Sequence, residues 1–165
     1  MLQTDYMRGT KDSDIWETTE LAMEDKNRLL ELAGSGSTQR RGLYLDIVPS
    51  GLPFLPLSPC WHPLPELNPL LNHLTIEVLD VVDVVVSKLK RFSPSDLDDV
   101  GAMTVKGLVE HRRLIERFLS AVDVYGGDAR AEDLPQYVRN LHRVERDLLA
   151  VPETEIELPA WIVES

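Results

Sequence analysis

Prolines at positions 49, 53, 56, 59, 63, 65 and 69 fall within one stretch of the chain and restrict its folding more than any other feature. Each fixes φ and removes a backbone donor, so Pro49 to Pro69 can be neither a regular helix nor a central strand. Yet Leu52, Phe54, Leu55, Leu57, Trp61 and Leu64 lie between the prolines, which makes the segment too apolar for a flexible linker. The expectation is an ordered loop packed on the core. With 165 residues and 43% hydrophobic content the chain can bury that core, as one domain with a helical extension.

Upstream of the prolines, Arg8-Gly-Thr-Lys-Asp-Ser-Asp14 carries two carboxylates two residues apart. If Ile15 and Trp16 continue a strand through them, a period of two puts Asp12 and Asp14 on one face. Gly42-Leu-Tyr-Leu-Asp-Ile-Val48 reads as a second strand that exposes Asp46 among residues suited to burial. Taken alone, Asp46 is an ordinary edge-strand acid. Taken with Asp12 and Asp14 it makes a hard, oxygen-rich set suited to magnesium and the phosphates of a nucleotide. Between the strands, Thr18 to Ala33 reads as a helix capped by Thr18 or Thr19 and stopped by Gly34-Ser-Gly-Ser37.

Downstream, Thr75 to Leu79 reads as a strand, and Asp80 caps the next element. Valines from Val81 to Phe92 favour a strand by propensity, but Asp83, Ser87 and Lys90 recur at helical spacing and decide for a helix. In that helix Lys88 shares a side with Val81, Val84, Val85 and Phe92, so its ammonium emerges from the apolar face and needs something to meet. Ser93-Pro-Ser95 opens a further helix on which Asp96 and Asp99 are neighbours. More helices are expected from Leu108 to Val124 and from Ala131 to Ala150, with Gly126-Gly127 between them. The tail from Pro152 reads as an extended arm whose apolar end, around Trp161, docks. The organisation this implies is an α/β core over 1–79, a helical region over 80–151 and an arm over 152–165.

The single Cys60 excludes an internal disulfide framework. Without a signal peptide or a long uncharged apolar segment, the chain reads as a cytoplasmic protein with no membrane partner. A formal charge of -11 argues against broad nucleic-acid binding, which requires a basic surface. Arg40-Arg41, Lys88-Leu-Lys-Arg91 and Arg112-Arg113 are the only candidate basic patches. Cys60-Trp-His62 lacks a second pair at zinc spacing. His73, His111 and His142 have no partners visible in the sequence.

Taken together, Arg8 to Asp14, Tyr44 to Val48, and Ser87-Lys-Leu-Lys-Arg91 with Asp96 and Asp99 resemble the nucleotidyltransferase-fold superfamily. Within it they are similar to bacterial nucleotidyltransferases related to the AbiEii toxin group. The resemblance runs from Arg8 to about Met103 and lies in the order and spacing of all three blocks. It implies an α+β fold, with a small mixed sheet of nucleotidyltransferase type and a helical C-terminal half. It further implies that Asp12, Asp14 and Asp46 are the catalytic metal carboxylates for Mg2+ or Mn2+, and that Lys88 reaches the triphosphate. Arg8 and Thr10 would contact phosphate or hold the strand turn. Asp96 and Asp99 match the acidic pair that follows the family's lysine helix, although first-turn acids favouring the helix dipole explain them equally well.

The implied activity is transfer of a nucleoside monophosphate from a nucleoside triphosphate to an RNA or protein acceptor, as the toxin of a toxin–antitoxin pair. Superfamily members also carry a Gly-Gly or Gly-Ser pair upstream of the acids, and Met1 to Met7 contain neither glycine nor serine. The resemblance therefore implies either an upstream extension or a non-catalytic nucleotide-binding or interaction protein that keeps the fold. A homo-oligomeric scaffold using the proline-rich loop and the Trp161 arm is the third expectation.

Overall fold

The computed structural model describes residues 12–16, 22–38, 44–48, 54–66, 68–70, 75–127, 129–158 and 162, the side chains of 12–16, 44, 48, 129 and 130 excepted. The fold is mixed α and β and rich in helix. The chain groups into two compact units, one ending at residue 53 and the other beginning at residue 54.

In the first unit, β1 (Asp12–Trp16) and β2 (Tyr44–Val48) pair in parallel, and α1 (Met23–Ala33) lies between them in sequence. Parallel strands cannot be joined by a tight turn, so the helix serves as the crossover. The expected cap at Thr18 or Thr19 is corrected. Helix α1 begins one residue after Ala22, which makes no side-chain cap bond, and Thr18 and Thr19 lie outside the described residues. The stop is where the sequence places it. Gly34 N–H donates to Leu30 O at 2.8 Å, and a Cβ on Gly34 would sit 2.6 Å from that same oxygen, so only glycine fits.

The second unit opens with the proline-rich segment, and Phe54 is its anchor. The Phe54 ring is fully buried, edge-on to Phe118 and Tyr125 at 5.5 and 5.2 Å and tilted against Tyr137 at 4.9 Å. Leu55 and Leu64 are buried with it, while Leu57 is exposed. Within this segment β3 (Trp61–Pro63) pairs antiparallel with β4 (Glu77–Leu79). Among the described residues the strands thus make two separate two-stranded ladders and not one mixed sheet. Pro59 precedes β3 and Pro63 is its last residue, and single bonds from Asp80 N–H to Cys60 O and from Leu64 N–H to Ile76 O carry the pairing one step beyond each end.

Helices follow: α2 (Val81–Lys88), α3 (Pro94–Val105), α4 (His111–Tyr125) and α5 (Leu134–Arg143), the last continued by a π turn over Val144–Leu149. The reading of the valine run as helix holds, with Asp80 capping it through a bond from Val82 N–H at 2.9 Å. Helix α2 ends before Phe92, which sits at φ 46 as the chain turns. Its buried stripe is Val82, Val85, Val86 and Leu89, and Lys88 shares the half-buried side with Val81 and Val84. Helix α4 begins later than Leu108, because the Glu110 carboxylate accepts from Arg113 N–H and sets the first turn there. Helix α5 begins later than Ala131, because Pro135 is tolerated only in a first turn, and a 3-10 segment (Ala129–Asp133) precedes it.

The tail doubles back after Ala150, which adopts a left-handed conformation at φ 53. Ile156 and Leu158 pack against the core and Ile162 is buried within it, so the arm docks as expected. Trp161 lies outside the described residues.

Candidate functional site

The acids of the first unit are positioned by strand register. Asp14 is the partner of Asp46 across the parallel ladder, and Asp12 stands two residues earlier, opposite Tyr44. Asp46 is exposed. The side chains of Asp12 and Asp14, and the whole of Arg8 and Thr10, lie outside the described residues. Aspartate oxygens are hard donors, the kind that magnesium or manganese takes. Among the described residues, no three His, Cys, Asp or Glu side chains form a metal group.

Lys88 meets carboxylates in the second unit. Its Nζ lies 3.0 Å from Asp96 Oδ1 and 2.9 Å from Asp99 Oδ2. Arg91 Nε and Nη2 also donate to Asp96. Asp96 in turn closes a capping box, accepting from Ser93 N–H at 2.9 Å while Ser93 Oγ accepts from Asp96 N–H. Burial pushes the Asp96 carboxyl up, but the bonds from Arg91, Ser93 and Lys88 outweigh it and hold the group well below the ordinary carboxylate range. This cluster ties the end of α2 to the start of α3.

Two buried acids were not singled out by the sequence as charged sites. Asp83 has no exposed surface, and Arg117 grips it with two bonds of 2.6 and 2.7 Å. Asp83 also accepts from Cys60 N–H, and Arg117 donates to Ser58 O, so the pair clamps the proline-rich segment onto α2 and α4. His62 and Arg113 reach Asp80 beside it, each at 2.9 Å. Cys60 and His62 are therefore held by a structural network.

Glu145, at the first turn of the π segment, is likewise fully buried. It accepts from Thr154 N–H and Thr154 Oγ1, and His111 Nε2 lies 2.8 Å away. Burial raises this carboxyl, and the bonds from Thr154 and His111 more than offset the effect, leaving its pKa lowered. His111 and His142, which lacked partners in the sequence, both serve the tail: His142 Nε2 donates to Thr154 O at 3.0 Å.

The basic patches are also redistributed. Lys88, Arg91, Arg112 and Arg113 each pair with a carboxylate, and Arg40 and Arg41 lie outside the described residues. Arginines instead gather on α5 and its π turn, where Arg139, Arg143 and Arg146 line an open cleft of 440 Å³ with His142 and Glu153. Their helical spacing was readable in the sequence, but only the folded tail makes the cleft. No helix among the described residues is long and apolar enough to cross a membrane. No family model, curated protein or solved structure matches the chain.

Proposed function

We propose that this chain is a metal-dependent protein of nucleotidyltransferase type, similar to the AbiEii-related toxins, which takes a nucleoside monophosphate from a triphosphate to an RNA or protein acceptor. The observation that carries this reading is the parallel register that sets Asp14 beside Asp46 with Asp12 two residues before. Asp12, Asp14 and Asp46 are the residues that would hold magnesium or manganese. When bound, the metal supplies charge neutralisation for the entering and leaving oxygens of an in-line displacement. Arg8 and Thr10 precede the acids on the same segment and would orient phosphate oxygens. An antitoxin is the implied protein partner.

Lys88 is the one residue whose proposed role changes. Its two carboxylate contacts satisfy the ammonium within the fold, so we assign it to the α2–α3 junction. That same observation favours a second reading, a non-catalytic protein that binds nucleotide and keeps the fold. Calorimetric titration of each nucleoside triphosphate with magnesium is the test. Binding that disappears in Asp46→Asn supports a metal–nucleotide site. Wild-type binding that survives the substitution, or no binding to well-folded wild type, sinks it. Label transfer from an α-phosphate-labelled triphosphate to RNA or protein then separates the enzyme from the binder.

A further inference from the structure

We propose that the arginine cleft on α5 is a binding site for a compact phosphate-bearing small molecule, and that Glu153 of the chain's own tail occupies it as an internal stand-in.

The cleft is assembled by two features of backbone. Arg139, Arg143 and Arg146 follow one another at spacings of four and three along α5 and the π turn that continues it, and all three line the same cleft. π turns inside α-helices recur at functional positions, because their looser hydrogen bonding is retained only where the altered side-chain placement is used. The left-handed Ala150 then folds the tail back, so that Glu153 lies over the arginines.

The charges of the lining are lopsided. Three guanidiniums face one carboxylate, Glu153, in a chain whose formal charge is -11. Arg146 Nη1 is 2.6 Å from Glu153 Oε1 and its Nε is 2.9 Å from Asp147. Arg143 reaches Asp147 only at 4.0 Å and otherwise lies over the Phe92 ring, 5.4 Å from its centre. Arg139 donates to Gln136 Oε1 and meets no carboxylate among the described residues. A guanidinium held by a neutral amide beside another held by a ring presents unspent planar donors, the arrangement that matches a phosphate's oxygens.

The occupant's class follows from size and surroundings. A volume of 440 Å³ is in the range of small-ligand clefts, and a lining of arginines, amides and a histidine suits a charged ligand over an apolar one. The strongly acidic remainder of the chain repels an extended polyanion, which favours a compact phosphate over a nucleic-acid strand. Glu153 makes the affinity conditional, because a ligand must displace its carboxylate from Arg146.

Inorganic pyrophosphate, titrated into the full chain in EDTA and followed by calorimetry and amide shifts, is the test. Removing divalent metal keeps the outcome separate from the magnesium site, and Asp46→Asn should bind pyrophosphate as wild type does. Glu153→Gln removes the internal competitor and should tighten binding about two- to fivefold, the worth of an exposed ion pair. Arg139→Ala, an exposed substitution, should weaken it at least about tenfold, as loss of charge-assisted bonds does. Shifts should centre on 136–146 and 153. Absence of pyrophosphate binding, indifference to either substitution, or binding of an RNA oligonucleotide in place of pyrophosphate would overturn the proposal.

Discussion

Asp83 and Arg117 show how much of this fold depends on single side chains. Removing Arg117 leaves a carboxylate with no exposed surface and takes away its two strongest donors, so Arg117→Ala should cost about 3–5 kcal/mol, measured by chemical denaturation. Arg117→Lys should recover only part of it, because an ammonium cannot reproduce the two parallel bonds and the contact to Ser58 O. Glu145 adds a pH signature. Its folded pKa lies below the ordinary value of 4.5, so its stabilisation is full above that value and is lost as pH falls through the lowered one. Thermal melts of wild type should therefore drop more steeply below about pH 4.5 than those of Glu145→Gln, which starts less stable and does not titrate. Legibility at this scale was uneven. Lys88 could be seen to need a partner because its face is apolar, and Asp96 and Asp99 were already in view. Asp83 read as a marker of helical period and His111 as isolated, because the partner of each lies 34 residues away along the chain.

At the level of elements, local chemistry was a good guide wherever it was unopposed. Asp80, Ser93-Pro94 and Gly34 mark real helix ends, and spacing overrode the β propensity of the valines in α2. The helices expected from Thr18, Leu108 and Ala131 start later in the structure, since period alone does not register a capping carboxylate at Glu110 or the single position where Pro135 is tolerated. The π turn had no sequence signature, and the contacts it carries, such as Glu145 to Thr154 of the tail, are ones that periodicity cannot place. Its exit through left-handed Ala150 carries the usual steric penalty of a Cβ in that region. Ala150→Gly should therefore raise stability by about 1 kcal/mol, read from the denaturation midpoint at unchanged slope. In the first unit, Gly34→Ala should act in the opposite direction by driving a methyl into Leu30 O.

For the whole molecule, among the described residues every member of the main buried cluster comes from Phe54 onward. A fragment spanning 54–165 should therefore melt cooperatively with its helical circular dichroism intact, and a non-cooperative melt would show that the first unit supplies essential support. The α and β content and the helical C-terminal half were legible from composition and period. Among the described residues the strands form two two-stranded ladders in place of the expected mixed sheet, because strand count alone says nothing about which strands pair. Of the candidate acids, the structure adds the strand register that makes Asp14 and Asp46 backbone partners.

From residue 153 to 158 the tail alternates, with Glu153, Glu155 and Glu157 exposed and Thr154, Ile156 and Leu158 turned partly inward. Such a segment is a two-row code read by position. Deleting or inserting one residue after Ala150 exchanges the rows, presenting glutamates to the core and putting Thr154 or Pro152 in the place of Glu153 beside Arg146, whereas replacing an outward glutamate leaves the docking rows in place. Length, more than identity, is the property of this tail that physical constraint holds fixed.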